Sequence, residues 1–306
     1  MFNRNRVSSM TLVSVMLFAS FAQVQASQPS IHIMDFTPRF LSFYEKAIEE
    51  DDADRRFELW KKHYDFVALP PGLPDRDERA RKMLDEAWPK YPGVLDRIRP
   101  GVSALSPAPE PMLEQVGELL DAGDKLPSIM LLYYVGMLED NAFFAPQPDG
   151  TLLVALPAEM DEERRETIMA HEFAHAVHHA LSDLTHGLED SVAERIFSEG
   201  IAMRATQALF PEKSDHKHLG GEPEWQEACH QNLDKILAGL PEHLESAGPE
   251  HVNRFTLGEG ITGLKREAYC AGWYLVGRML DEGSTLADLV RIPEAEVADR
   301  VRQQLD

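Results

Sequence analysis

The sequence predicts an α+β protein that is mainly α-helical and contains one small mixed sheet. Three observations support this fold class. Helical periodicity fills two long parts of the chain, residues 35 to about 98 and most residues beyond 157. Between these parts lie short runs rich in aliphatic and aromatic residues, which are typical of strands. A content of 43% hydrophobic and 27% charged residues is that of an ordinary globular protein.

Residues 1–26 have the pattern of a secretory signal peptide. Two arginines precede an apolar run at residues 11–22, and Val24-Gln25-Ala26 has the small-x-small pattern of a cleavage site. The run is shorter than the roughly 20 residues that a transmembrane helix needs, so a membrane anchor is the weaker alternative. We therefore expect an exported chain, periplasmic or secreted, with no integral membrane segment after signal cleavage.

The remaining chain divides into three predicted parts. Residues 27–105 form an N-terminal helical region, residues 106–126 form a proline-rich linker with a short helix, and residues 127–306 form the domain that contains the sheet. In this domain a QPDG turn signal joins two apolar runs and predicts a hairpin at the sheet edge. The runs are 141–146 and 151–157, and the helices that follow are predicted at 161–181, about 189–209, 222–238, 264–281 and from 286.

Charge and cysteine content limit the partners and the compartment. The net charge of −22 opposes nucleic-acid binding, because an acidic chain repels phosphate backbones. Cys229 and Cys270 fall on separate predicted helices and can close one disulfide in an oxidising compartment. Two buried free thiols are the alternative, and the sequence leaves the oligomeric state open.

The segment HEFAHAVHH, residues 171–179, contains a candidate metal site. On a helix, His171 and His175 lie one turn apart on the same face, so their imidazoles can bind a single ion. Glu172 is rotated from His171 by about 100°, which keeps its carboxylate off the metal but within reach of a bound water. Imidazole suits zinc, and catalytic zinc has three protein ligands and a water. The pattern therefore predicts one zinc per chain and a third ligand elsewhere, with His178 and His179 beside the site rather than in it.

The third ligand is predicted on the next helix, in the segment SEGIA. HExxH followed by a Glu-Gly-apolar-Ala segment resembles the gluzincin zinc metallopeptidases, which include thermolysin-like enzymes, and is most similar to small predicted bacterial zinc proteases. This resemblance implies a zincin-like core with zinc held by His171, His175 and Glu199. The 23 residues between His175 and Glu199 exceed the spacing in those enzymes. Glu194 fits the shorter spacing but lacks the Gly-apolar-Ala context, and it stays the alternative.

The resemblance extends to two further segments. The segment NAFF at 141–144 is similar to the edge strand of thermolysin-like enzymes that binds substrate, which makes Asn141 and Ala142 candidate substrate contacts. An exposed strand edge does offer N–H and C=O groups that a peptide can satisfy, although a hairpin without a catalytic part is the alternative. Tyr269 is implied to stabilise the oxyanion, with His251 and Tyr274 as alternatives.

These residues predict a zinc metallopeptidase that cleaves a peptide or protein substrate with a zinc-activated water and with Glu172 as the base. Two other functions stay open. One is a zincin-fold binding or assembly factor with a structural zinc. The other is metal sequestration by the histidines His171, His175, His178, His179 and His186. The resemblance covers about residues 127–280, and it assigns no role to the N-terminal helices.

Overall fold

The computed structural model describes residues 30–69, 75–139, 141–182 and 190–305. Within these residues the protein is mainly helical and contains one four-stranded mixed sheet, which confirms the predicted fold class. The predicted signal peptide, residues 1–26, lies outside the described residues. None of the described helices combines the length and the apolar character that crossing a bilayer requires.

The sheet contains three parallel strands and one antiparallel edge strand. Its strand order is β1-β2-β4-β3, in which β1, β2 and β4 run parallel and β3 is antiparallel to β4. The strands are β1 (Ile31–Asp35), β2 (Ile129–Tyr134), β3 (Phe143–Pro146) and β4 (Leu152–Pro157). The two central strands are almost continuously apolar, as expected of parallel strands that are covered on both faces. The predicted edge hairpin is confirmed, and it places β3 at the end of the sheet.

Strand β1 was not predicted from the sequence. Its five residues alternate between half-buried and exposed positions, and nothing near them in the chain marks a pairing partner. That partner is β2, with Ile31 opposite Ile129. The predicted N-terminal helical region therefore also contributes a strand to the sheet, and one hydrophobic cluster contains residues from Phe40 to Val301.

Helices make up most of the described chain. The N-terminal region contains α1 (Thr37–Ala47), α2 (Ala53–His63), α3 (Arg76–Ala87) and α4 (Leu95–Ile98), with 3₁₀ turns at Trp88–Gly93 and Gly101–Ala104. Helix α5 (Pro109–Leu119) precedes β2. After the sheet come α6 (Glu162–Leu181), α7 (Val192–Leu209), α8 (Asp215–His218), α9 (Pro223–Gly239), α10 (Pro249–Thr256), α11 (Glu267–Asp281), α12 (Leu286–Leu289) and α13 (Glu294–Gln303).

The helices after the sheet begin and end within a few residues of their predicted limits. Asp161 caps α6 by accepting a hydrogen bond from the N–H of Arg164, which satisfies one of the free donors of the first turn. Helix α10 was not predicted, because it has only eight residues and its sequence, PEHVNRFT, shows too few apolar positions for a period to be visible.

A disulfide joins two of the C-terminal helices. Cys229 in α9 and Cys270 in α11 are bonded, so of the two alternatives the disulfide is the correct one. Both cysteines are fully buried. The bond fixes α11 to α9 across 41 positions of the chain.

We expect loss of this bond to destabilise the protein. Closing a loop of 41 residues lowers the entropy of the unfolded chain enough to contribute about 4 kcal/mol at 25 °C. A Cys229→Ala/Cys270→Ala variant should therefore lose about 3–4 kcal/mol of its free energy of unfolding, measured by urea titration. Reduction of the wild-type protein, which leaves both side chains in place, is the control and should have a similar effect. Equal stability of the oxidised and reduced protein would contradict this expectation.

Candidate metal centre and active-site cleft

Three polar side chains converge where α7 packs against α6. The Nε2 atom of His171 lies 3.1 Å from Nε2 of His175 and 3.1 Å from Oε2 of Glu199. Nε2 of His175 lies 3.4 Å from the same oxygen. All three residues are buried, with at most 9% of their surface exposed. The structure therefore brings together the three residues that were predicted as metal ligands.

The triangle formed by these three atoms has the size of a zinc site. Zinc lies roughly 2.0–2.1 Å from its nitrogen and oxygen ligands, so adjacent ligand atoms of a tetrahedron lie about 3.3–3.4 Å apart. The observed separations of 3.1, 3.1 and 3.4 Å are close to this value. Two imidazole nitrogens and one carboxylate oxygen are also a donor set found in catalytic zinc sites. The residues present therefore fit a zinc ion.

Side chains around the triangle orient its members. Nδ1 of His175 lies 3.0 Å from Oγ of Ser198, and in the tautomer that donates this hydrogen bond Nε2 keeps its lone pair for a metal. Arg195 lies 3.8 Å from Oε1 of Glu199 and 3.2 Å from Asp190. The roles of Arg195, Ser198 and Asp190 were not predicted from the sequence. Their spacing from Glu199 could have indicated Arg195 and Ser198. Arg195 precedes Glu199 by four residues, and Ser198 precedes it by one.

The ionisation states of the three residues of the triangle depend on one another. Burial opposes the charged form of Glu199, but the neighbouring His175 and His171 outweigh burial and hold the pKa of Glu199 well below its usual value. Burial also disfavours the charged form of His171, but the hydrogen bond to Glu199 and the charge of Glu172 outweigh this effect and raise the pKa of His171. Glu199 is therefore a carboxylate at neutral pH, which is the form that binds a metal.

Glu172 faces the same site from α6. Its side chain is buried, and burial raises its pKa above the usual value for a glutamate. The charges of His171 and His175 lower the pKa of Glu172, as does a hydrogen bond that the backbone N–H of Phe144 in β3 donates to its carboxylate. These effects together do not outweigh burial. A raised pKa makes the Glu172 carboxylate a stronger base toward a proton of water, and the same group can later release that proton as an acid.

A cleft of about 270 Å³ opens onto these residues. Strand β3 and the residues before it form one wall, with Asn141 and Ala142 among them, so both candidate substrate contacts lie at the site. Helix α10 contributes further lining residues, which the sequence analysis missed together with the helix itself. These residues are Pro249, Val252, Asn253, Thr256 and, just beyond the helix, Leu257. The side chain of Leu257 is exposed at the cleft even though it is apolar.

Tyr269 lies in the first turn of α11 and lines the cleft. Burial and the charge of Glu199 raise its pKa far above the usual value for a tyrosine, so the phenol keeps its proton and can donate it to a hydrogen bond. The guanidinium of Arg266 lies 4.2 Å from the centre of the Tyr269 ring. Of the two alternatives to Tyr269, Tyr274 packs against His230 and His251 is exposed on α10.

Two glycines bring Glu199 and Tyr269 into one site. Gly200 follows Glu199 on α7, and Gly272 lies one turn after Tyr269 on α11. A Cβ atom added at Gly200 would lie 2.5 Å from the carbonyl oxygen of Gly272, and one added at Gly272 would overlap the carbonyl of Ile196. Only glycine fits at this crossing, so close packing of α7 against α11 explains why the SEGIA segment contains Gly200.

The other ligand candidates from the sequence lie elsewhere. The carboxylate of Glu194 accepts a hydrogen bond of 2.6 Å from the N–H of Ser191 and closes the capping box of α7, so the structure favours Glu199 over Glu194. His178 is fully buried on α6, where burial lowers its pKa to about 3, and His179 packs against Phe144. Neither belongs to the triangle of potential ligands. His186 lies outside the described residues.

A model of a known protein family matches the C-terminal part of the chain. The model of the family described as predicted Zn-dependent protease (DUF2268) matches residues 137–299. The matched part contains the HEFAH and SEGIA segments and Tyr269. No curated protein and no solved structure matches the chain. Since the match covers more than half of the sequence, the chain belongs to this family of predicted Zn-dependent proteases.

Proposed function

We propose that this protein is an exported, gluzincin-type zinc metallopeptidase that hydrolyses peptide bonds. The observation that carries the proposal is the convergence of His171, His175 and Glu199 beside the buried carboxylate of Glu172, in a cleft bordered by an edge strand. A metal-binding triangle, a base and an accessible strand edge are the parts that metal-assisted peptide hydrolysis needs.

Each side chain at the site has its own proposed role in the reaction. His171, His175 and Glu199 would hold a zinc ion, which would supply Lewis-acid polarisation of a water and of the scissile carbonyl. Glu172 takes the proton of the attacking water and passes it to the leaving amine. Tyr269 donates a hydrogen bond to the carbonyl oxygen as this oxygen becomes negative.

The proposed substrate is a peptide in extended conformation. Within the described sheet β3 is the end strand, and one of its edges pairs with β4, so a further strand can add along its other edge at the cleft. Asn141 and Ala142, just before β3, are proposed to hold the peptide backbone. Main-chain hydrogen bonds of this kind give affinity, while the apolar residues of the cleft select side chains.

Export is proposed from two observations. Residues 1–26 have the signal-peptide pattern, and the buried disulfide between α9 and α11 belongs to a class of bonds that persist in oxidising compartments. We therefore place the mature protein in the periplasm or outside the cell.

Zinc content distinguishes the two candidates for the third ligand. We expect about one zinc per chain in the wild-type protein, loss of zinc in Glu199→Ala and retention in Glu194→Ala, measured by elemental analysis. Glu194→Ala is a matched control from the same helix, and it loses only a capping interaction of about 1 kcal/mol. The reverse pattern would overturn the ligand assignment. Several ions per chain would indicate metal sequestration instead.

Replacement of the proposed base separates metal binding from hydrolysis. We expect Glu172→Gln to retain zinc and to lower kcat by about 10²–10⁴-fold, because a neutral amide takes up no proton. The assay is chelator-sensitive cleavage of casein or of a peptide library. Glu162→Gln, an exposed change at the start of the same helix, should leave kcat unchanged. Undiminished activity of Glu172→Gln would refute the mechanism, and a zinc-loaded wild-type protein that cleaves nothing would favour a binding factor with structural zinc.

A pair of tyrosine variants tests the oxyanion donor. Tyr269→Phe removes a hydroxyl at the cleft and should lower kcat by about 10²-fold with little change in KM, because the lost hydrogen bond forms mainly in the transition state. Tyr274→Phe removes the same group from the same helix, outside the cleft, and should behave like the wild type. Equal kcat values for the two variants would remove Tyr269 from the mechanism.

A further inference from the structure

The N-terminal region contacts the chain between β2 and β3 through buried hydroxyl groups. The hydroxyl of Tyr64, just after α2, donates to the carbonyl of Val135 and accepts from its N–H, both at 2.7 Å. The hydroxyl of Tyr91 donates to the carbonyl of Gly136 at 2.8 Å. Both tyrosines are 1% exposed. Two side chains of the N-terminal region thus bind the two residues that directly follow β2.

These hydrogen bonds replace sheet pairing at the point where it ends. Val135 lies beyond β2, so its backbone groups are buried without a ladder partner from the described strands. A buried N–H or C=O group without a partner is costly, and the hydroxyl of Tyr64 satisfies both groups of Val135. Burial raises the pKa of Tyr64 and of Tyr91 well above the usual value, so both hydroxyls keep their protons and can donate.

Glu159 contacts the residues after β2 from the other side. This residue follows β4 and is 3% exposed, and its two carboxylate oxygens lie 2.9 and 3.1 Å from the N–H of Gly136. Gly136 is therefore bonded at its carbonyl by the N-terminal region and at its N–H by the stretch that leads into the metal-binding helix α6. Its position is defined by both parts of the protein.

A further contact lies next to the cleft. The side-chain amide of Asn141 donates to the carbonyl of Ala68, in the N-terminal region, at 3.1 Å. The hydroxyl of Tyr134, the last residue of β2, donates to the carbonyl of Asn141. Asn141 and the adjacent Ala142 line the cleft beside the metal centre. The N-terminal region therefore contacts the β2–β3 connection at its beginning and at its end.

We propose that Tyr64 and Tyr91 are positioning residues for substrate binding, and that the N-terminal region sets the place of the Asn141–Ala142 edge in the cleft. This inference rests on the proposed peptidase function. It gives a role to residues that precede the family match, which begins at residue 137. The metal ligands come from α6 and α7, so the role of the two tyrosines concerns the substrate edge and not the metal.

The test compares three single hydroxyl deletions. Tyr64→Phe and Tyr91→Phe leave groups of Val135 or Gly136 unpaired, whereas Tyr44→Phe is the matched control. Tyr44 is also a buried tyrosine of the N-terminal region, but its ring packs on Phe40 and Trp88. For the peptides that the wild type cleaves, we expect KM to rise about 5- to 10-fold in each test variant, with kcat and zinc content nearly unchanged. The control should keep the wild-type KM.

A second measurement is independent of activity. Hydrogen–deuterium exchange should become faster in residues 135–139 and 141–146 of Tyr64→Phe and Tyr91→Phe, while the peptides of α6 keep their protection. Unchanged exchange and unchanged KM in both variants would overturn the inference. An equal rise of KM in Tyr44→Phe would also overturn it, since the effect would then be general loss of packing. A wild-type protein that cleaves no peptide would instead refute the proposed function, and the exchange data would still decide whether the tyrosines fix the edge.

Discussion

The close crossing of α7 and α11 at Gly200 and Gly272 is the constraint on which the site depends. Backbone contacts backbone there, because any side chain at either position would overlap a carbonyl of the other helix. One turn of α11 therefore combines three tasks. Tyr269 faces the cleft, Cys270 is bonded to α9, and Gly272 contacts α7. With α11 held on both sides, Tyr269 has a fixed place relative to Glu199, which precedes Gly200 on α7.

The chemical groups and the recognition surfaces come from different kinds of structure. His171, His175 and Glu199 belong to two long, buried helices, where packing restricts the rotamers and the low polarity strengthens each charge interaction. The cleft walls come instead from the last strand of the sheet and from the short helix α10. For the proposed hydrolysis, a rigid centre with peripheral walls would let the walls vary in sequence while the reaction stays the same, which is how one fold serves different substrates.

The features that could be predicted from the sequence are those whose determining interactions are local. The i, i+4 spacing of His171 and His175 needs only a helix, and the β3–β4 hairpin needs only a turn signal between two strands. Glu199 was predicted from the resemblance of SEGIA to the Glu-Gly-apolar-Ala segment of gluzincins, and the Gly of that segment is required by the packing of α7 against α11. Other features that were not predicted depend on distant partners. Strand β1 is recognisable only through β2, and the bonds of Tyr64 and Tyr91 to the chain after β2 span 71 and 45 residues. No local period carries such information.

The pairing of β1 with β2 has a consequence for the order in which the protein folds. Ile31 lies opposite Ile129, so nearly one hundred residues separate the two strands, and the entropy of closing that loop is lost before any hydrogen bond between them forms. Strand β1 is synthesised first of the four, yet its only partner within the described sheet is made long after it. Until then its backbone edge is unpaired and open to pairing with other chains, a hazard that native sheets avoid by keeping edge strands short. With five residues, β1 is short enough to meet that requirement.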